Sequence, residues 1–304
     1  MRNLTLRSLH VFEAAASALS YSRAGELLGM TQSAVSQQIR QLEDEVGTRL
    51  FDTQSRPIRM TDAGHELVRH ARVILAQVGV AEDALSTLGG DLRGQLHLGV
   101  VPPANHFVPA MLAAFRARHP DARLKLTVGR RDALLAQLAE HRIDLVLGGY
   151  PPADAEVEAE AFARHPHVVI ARADHPLADR ESLVWTDLSD EVFIFREQGS
   201  ATRAFLEHLL QVQRLQVPAG IELQGNDTVR QAVMAGLGIS FVSAHICQVE
   251  LDAGRIAVLK VDGMPKWLDW CVLSRRDMPL LATQRAFRDF VLAQGADAAR
   301  CRID

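Results

Sequence analysis

Six side chains in one short stretch have the chemistry to read a nucleic acid: Thr31, Gln32, Ser33, Ser36, Gln37 and Arg40. Gln can engage adenine with both ends of its amide, Arg can engage guanine or a phosphate, and hydroxyls reach either. Ser33, Ser36, Gln37 and Arg40 follow one another at i, i+3, i+4 and i+7, so a helix places them on one face, with Gln32 beside them near its N-terminal end. Val35, Ile39, Leu42 and Val46 form the opposite, apolar face. The N-terminal part of such a helix is the part that enters a major groove. A solvated polar face is the competing reading, because most surface helices have one.

The flanking residues supply a frame for that helix. Leu6, Leu9, Phe12 and Ala16 recur at helical spacing over Leu4–Ser17. Ser20 is placed to cap a short second helix, Tyr21–Leu28, packed through Ala24, Leu27 and Leu28. Gly29 ends it in the left-handed conformation open to glycine, and Thr31 caps the third helix, which runs to about Glu45. Two short helices separated by a glycine-containing turn form a helix-turn-helix. Asp52–Arg59, with Pro57, suits a β-hairpin wing whose Arg56 and Arg59 meet phosphates or the minor groove, and Thr61 caps the next helix.

Charge lends this reading no support. The 304-residue chain carries a formal charge of -4, and residues 1–60 hold seven Arg, no Lys and six acidic residues. A strongly basic domain is the usual footprint of a nucleic-acid binder, so the case rests on spacing.

From about Asp62 to Leu88 one long helix is expected. Leu67, Ala71, Ile74, Val78, Ala81, Leu85 and Leu88 are separated by alternating steps of four and three, the pattern of a paired-helix seam. The intervening Glu66, Arg69, His70, Arg72, Gln77, Glu82 and Asp83 keep the stripe narrow. Packing on the helix's own domain is the alternative source of such a stripe. A paired helix would hold two recognition helices at a fixed spacing over a roughly two-fold symmetric operator.

Beyond Gly89-Gly90-Asp91 the texture changes to alternating strands and helices. Strands are expected at Gln95–Val101, Arg123–Val128, Ile143–Leu147, Val168–Ala171, Val192–Phe195, Ile221–Leu223, Ile239–Val242, Arg255–Val261 and Trp267–Ser274. Helices are expected at Pro103–His119, Arg131–His141, Ala201–Val212, Thr228–Ala235 and Leu280–Leu292. The architecture that follows is α/β overall: a mainly α winged helix-turn-helix (1–61), a linker and dimerisation helix (62–90), and a two-lobed α/β domain of the periplasmic-binding-protein type (91–304). Lobe I takes about 91–164 and 267–304, lobe II about 165–266, with crossings near Arg164–Pro166 and Gly263–Lys266.

Ligand chemistry concentrates at Arg196–Arg203, where Gly199 and Ser200 open a helix whose first N–H groups and dipole favour an anion. Thr202 adds a hydroxyl, and Gly225-Asn226-Asp227-Thr228 is a second polar strand-to-helix turn. Val101–Asn105 and Gly148-Gly149-Tyr150 would wall the other lobe. Ser200 as a simple helix cap is the alternative.

An enzyme is not expected, because no nucleophile elbow, zinc-protease helix, dinucleotide fingerprint or P-loop falls at a credible place. The twelve histidines are scattered, and His165 and His167, flanking Pro166, read as hinge residues without a catalytic task. Cys247, Cys271 and Cys301 are widely spaced and read as reduced thiols, and no metal site is expected. Met1–Ser20, broken by Arg2, Arg7, His10 and Glu13, does not read as a secretory leader, and no apolar run spans a membrane. A cytoplasmic protein is therefore expected, and a transport solute-binding protein is disfavoured.

Several runs together carry a family resemblance: Phe12–Ala15, Ser22–Leu28, Thr31–Ile39, Leu42-Glu43, Gly47, Leu50-Phe51 and Thr61–Gly64. Their types and spacing resemble the signature of the LysR-type transcriptional regulators, with Thr53 standing where that family often has Arg. The resemblance extends through the second half, where the chain is similar to the regulators of RuBisCO and carbon-fixation operons (the CbbR type). The similar stretches are Leu112–Pro120, Asp144–Pro152, His165–Ala173 with His175–Ala178, Gly199–Arg203, Gln231–Gly238 and Ser243–His245. This implies an activator or repressor that binds double-stranded operator DNA and a small-molecule co-inducer, with no cofactor beyond that effector. It further implies self-association to a homotetramer, with RNA polymerase as a candidate partner. Carried over, effector contacts fall on Gln198, Ser200, Ala201, Thr202 and Asn226, with Pro102, Pro103, Asn105 and Gly149 on the facing wall. Where those relatives place hydroxyls and a Lys after the first strand, Pro102, Pro103 and Asn105 remove donors and a positive charge from the cleft.

Overall fold

The computed structural model describes residues 4–52, 58–87, 92, 94–153, 155–218, 220–276, 278–301 and 303. The chain divides into two compact units, the first built mainly from residues up to Gly94 and the second from most of the remainder.

In the first unit, α1 (Leu6–Ala18), α2 (Tyr21–Leu28) and α3 (Gln32–Val46) are followed by β1 (Phe51–Asp52), β2 (Arg59–Met60) and α4 (Asp62–Thr87). Each helix begins where a hydroxyl satisfies an otherwise unpaired N–H: Thr5 accepts from Ser8 N, Ser20 from Arg23 N and Thr31 from Ala34 N. Gly29 closes α2 at φ +64°, the left-handed geometry expected of it. Leu9, Phe12, Ala24, Val35, Ile39, Leu42, Leu50, Phe51, Val68 and Ala71 make one buried core. Phe51 seals it edge-on against both Phe12 and Tyr21, each ring pair 5.6 Å apart.

Three expectations are corrected here. Leu27, expected to pack with Ala24, is 72 % exposed; eight residues of helix have room for only one inward stripe, and Tyr21, Ala24 and Gly25 fill it. Ala71 is fully buried in its own domain's core, with Leu67 packed against the same cluster, so the upper seam serves intradomain packing. Arg72, expected on the solvated side of the helix, is 8 % exposed: its guanidinium donates to Glu13 Oε1 at 3.2 Å and to Ser17 Oγ at 3.1 Å, binding α4 to α1.

The second unit contains β3 (Gln95–Val100), a 3-10 turn (Pro102–His106), α5 (Val108–Arg118), β4 (Arg123–Val128), α6 (Arg131–Ala139), β5 (Leu145–Gly148) and β6 (Val157–Arg172). It continues with β7 (Ile194–Arg196), α7 (Ala201–Val212), β8 (Ile221–Leu223), α8 (Asn226–Met234), β9 (Ser240–Ser243), α9 (Gln248–Asp252), β10 (Ile256–Val258), β11 (Lys266–Arg275) and α10 (Ala282–Ala298). One sheet runs in the order β10-β6-β11-β5-β3-β4, with β9 also on β6, and β7 pairs β8 separately. The first strands are parallel, as crossover helices dictate, whereas β11 runs antiparallel to β5 and β6.

The crossing expected near Arg164–Pro166 falls inside a strand that is longer than the expected Val168–Ala171. Val157–Arg172 is one 16-residue strand through Pro166, which lies opposite Trp267 in the ladder with β11. Proline within an apolar run signals a strand end, but here β6 carries on through it from one lobe to the other. The expected helix from Pro103 is likewise split into the 3-10 turn and α5, and Asn226 lies inside α8.

Candidate functional site

The recognition face is built as the spacing requires. Val35, Ile39 and Leu42 are buried, while Gln32, Ser33, Gln37 and Arg40 are exposed and Ser36 is half-buried. Thr31 caps α3, and its hydroxyl lies 3.0 Å from that of Ser33, so the two organise the N-terminal turn together. β1 and β2 pair antiparallel, Asp52 opposite Arg59, which leaves Arg59 exposed on the wing; Arg56 lies outside the described residues. The wing is tied to the recognition helix by Glu43, which is buried on α3. Its carboxylate accepts the N–H of Leu50 at 2.8 Å and of Phe51 at 3.2 Å, and its other oxygen accepts from Arg49 at 2.7 Å. Burial of the Tyr21 phenol nearby pushes its pKa up to about 12. Glu43 was visible as a motif residue, but its task was not.

Of the seam residues, Ile74 is 39 % and Leu85 70 % exposed, Ala81 is exposed and Val78 half-buried, while Leu88 lies outside the described residues.

In the second unit, parallel pairing of β3 with β4 and β5 brings three strand ends together. Pro102, Pro103 and Asn105, Gly129–Arg131, and Gly149-Tyr150 follow those ends, the arrangement in which α/β sheets bind ligands. Parallel pairing of β7 with β8 does the same for the loops leading to α7 and α8. There Arg196 ion-pairs with Glu197 at 2.7 Å and bonds Asn226 Oδ1, while Glu197 also accepts the Gly225 N–H at 3.3 Å. Arg196 is the largest cause holding the Glu197 carboxyl down to about 2. Ser200 occupies the cap position of α7, but its hydroxyl makes no capping bond to the helix. Gln198 and Ala201 are exposed, and Thr202 and Asn226 half-buried.

The two loop clusters meet through a residue that the sequence reading passed over. Arg130, at the end of β4, donates from Nη2 to the carbonyl of Gly199 at 3.0 Å. Gly199 has φ +79°, the left-handed geometry that favours glycine, and the tip of Arg130 lies where a Cβ would stand, 2.5 Å from Nη2. Arg131 donates to the carbonyl of Tyr150 at 3.0 Å and so braces the neighbouring wall. Arg130 thereby sets a positive charge beside the loop into α7, where it also ion-pairs with Asp132 at 3.4 Å. A doubled Arg after Val128-Gly129 was the available signal.

Cys247 and Cys271 are buried. Burial is the first cause raising the Cys247 thiol to about 12 and that of Cys271 to about 11, well above the thiolate range of redox sensors. Among the described residues no His, Cys, Asp and Glu side chains gather as a metal site, and no helix is long and apolar enough to cross a membrane.

A winged helix-turn-helix followed along the chain by a two-lobed domain with facing polar loops defines a ligand-responsive DNA-binding regulator. Residues 6–65 match the bacterial regulatory helix-turn-helix protein, lysR family, and residues 89–296 match the LysR substrate binding domain. The chain belongs to the LysR family of bacterial transcriptional regulators. It is 40 % identical over 301 residues to the RuBisCO operon transcriptional regulator of Allochromatium vinosum, covering 99 % of both chains. The regulatory domain of Synechocystis CcmR in complex with 2-PG is 32 % identical, with a TM-score of 0.63 over 66 % of this chain and 96 % of that one. A full-length OxyR variant from Pseudomonas aeruginosa shares the fold at 21 % identity, TM-score 0.77, over 99 % of this chain and 98 % of that one. Like these regulators, the chain is a transcription factor and not an enzyme.

Proposed function

We propose that this regulator controls a carbon-fixation or central-carbon operon from the cytoplasm and responds to a small anionic metabolite held between the two loop clusters of its second unit. The observation that carries this reading is full-length similarity to a RuBisCO operon regulator. The relative bound to 2-PG supports an anion as effector, and so does a cleft that sets Arg130 against the amide end of α7. Gln198, Ser200, Ala201, Thr202 and Asn226 would contact the effector from one side, with Pro102, Pro103, Asn105, Gly149 and Arg130 opposite.

The operator would be read by Thr31, Gln32, Ser33, Ser36, Gln37 and Arg40, with Arg56 and Arg59 on the wing. Pairing through Ile74, Val78, Ala81, Leu85 and Leu88 would place two such helices over a two-fold symmetric site, and pairing of dimers would give the homotetramer. RNA polymerase stands as a further partner.

Thermal unfolding of the full chain in the presence of 2-PG and a panel of sugar phosphates and carboxylates, paired with footprinting on its own promoter region, tests the reading. A ligand at a hundred times its Kd stabilises the fold by about 2.7 kcal/mol and should alter the footprint. A protected promoter that no carbon metabolite affects would place the protein over another operon. No protection at all would remove the operator assignment.

A further inference from the structure

Two strands, β6 and β11, join the lobes; the chain makes a third connection at its C-terminal end. α10 belongs to the first lobe. Phe287 and Phe290 lie 5.1 and 5.7 Å from Phe115 of α5, and a Cβ at Gly295 would stand 2.6 Å from the Phe162 ring. Immediately beyond the helix the surroundings change. Ala299 is 2 % exposed, and its carbonyl accepts from Nε2 of the buried His245 at 2.9 Å. Cys301 and Ile303 pack against the second lobe's core of Val168, Ile170, Val242, Cys247 and Ile256, and the Cys301 thiol donates to Gln248 Oε1 at 3.2 Å.

Hydrogen-bond logic fixes the proton positions in this region. A carbonyl only accepts, so His245 carries its proton on Nε2 and offers a lone pair on Nδ1. Ser243 Oγ lies 3.5 Å from that Nδ1 and 2.8 Å from His165 Nε2. The orientation that satisfies every bond runs His165 Nε2–H to Ser243 Oγ, Ser243 O–H to His245 Nδ1, and His245 Nε2–H to Ala299. Trp270 of β11 stacks on His165 at 3.8 Å and 14°. One buried chain of hydrogen bonds, with a stacked ring, therefore reaches all three connections: β6 through His165, β11 through Trp270 and the C-terminal tail through Ala299. Burial lowers the pKa of both histidines, which keeps the chain neutral.

We propose that Ala299–Cys301, with Ile303 packed beyond them, form a strap between the lobes, fastened by His245, that limits how far the effector cleft opens. Apolar packing at its far end and the His245 bond at its near end hold it across the crossing. Loosening either should leave lobe movement restrained by the two-strand ribbon and the Arg130–Gly199 bond across the cleft.

The test compares hydrogen–deuterium exchange of the full-length protein with that of two variants. One ends at Ala298, and the other, His245→Phe, keeps a ring against Phe107 and Trp270 but loses the donor. Peptides covering 164–168 and 266–270 should exchange about tenfold faster in both, the scale of one lost buried hydrogen bond, with α3 and α5 unchanged. If the shortened chain does not accumulate folded, His245→Phe alone decides. Wild-type exchange at both crossings in His245→Phe, with the tail peptide exposed, would overturn the strap. None of these readouts requires the effector to be known.

Discussion

Glu43 and Leu50 join the recognition helix to the wing: the carboxylate on α3 accepts the Leu50 N–H at 2.8 Å, in the buried seam where the chain turns into β1. The same oxygen also accepts from Phe51, and the second oxygen pairs with Arg49. Glu43→Ala would leave two buried N–H groups unpaired, at about 1–3 kcal/mol for each unsatisfied group. A lower urea midpoint, together with weaker operator binding, is the expected outcome. An unchanged midpoint would show that water replaces the carboxylate without loss.

Arg40→Ala and Gln32→Ala act on the opposite face, where nothing in the fold depends on them. Each should weaken operator binding by ~1–3 kcal/mol, the scale of a base contact, with the circular dichroism spectrum and melting point retained. Gel shifts across a salt series would separate a base contact from a phosphate contact, because only the latter flattens the salt dependence.

The second and third helices were legible almost to the residue because local chemistry sets their boundaries: Ser20 and Thr31 as caps and Gly29 as a stop. The first begins at Leu6 behind the Thr5 cap, two residues later than its apolar spacing indicates. The second unit was legible as alternating elements, and a crossing was placed near Arg164–Pro166, but the strand running through it was read only from Val168. Pro166 reads locally as a break, and only the partner strand, placing Trp267 opposite it, reveals that the ladder continues. Arg130 was missed for a similar reason. Its acceptor, Gly199, is distant in sequence, and no local pattern shows which carbonyl a long side chain will reach.

In the cleft, Thr202→Val keeps volume and removes a hydroxyl. The expected result is a loss of effector response of about tenfold or more in apparent affinity, with operator binding preserved. Gly199→Ala should also weaken the response, since an L side chain strains the +79° φ and the added methyl displaces the tip of Arg130 from the Gly199 carbonyl. Isothermal titration with the metabolite found by thermal shift checks both, and a normal response from Thr202→Val would move the ligand elsewhere.

On α4, Ile74→Glu and Ala71→Glu should part company. Ile74 is exposed, so its substitution should lower the oligomeric mass in light scattering while the domain stays folded. Ala71 is fully buried in the core, so a charge there should unfold the first unit. Dimers of Ile74→Glu at full strength would relocate the pairing surface.

The buried histidines predict acid sensitivity. Burial is the leading cause that lowers His165 well below 6.5 and His167 to about 4, with His167 and His245 adding repulsion at His165. The unfolded chain takes up protons near 6.5 and the folded chain does not, so stability falls as pH drops from about 6.5 toward 4. His167 alone accounts for roughly 3 kcal/mol of that loss at about 1.4 kcal/mol per pKa unit. Melting points between pH 7 and pH 4.5 should drop more steeply for wild type than for His167→Phe; parallel curves would assign the acid sensitivity to other groups.

The unbroken passage of β6 has a mechanical consequence. Sixteen residues of strand, at about 3.3 Å each, make a rod of about 50 Å, laced to β11 with a single register shift at Trp270/Cys271. A rod of that kind puts no loop at the crossing, so whatever opening the C-terminal tail permits has to be taken up as bend and twist of the β6–β11 ribbon.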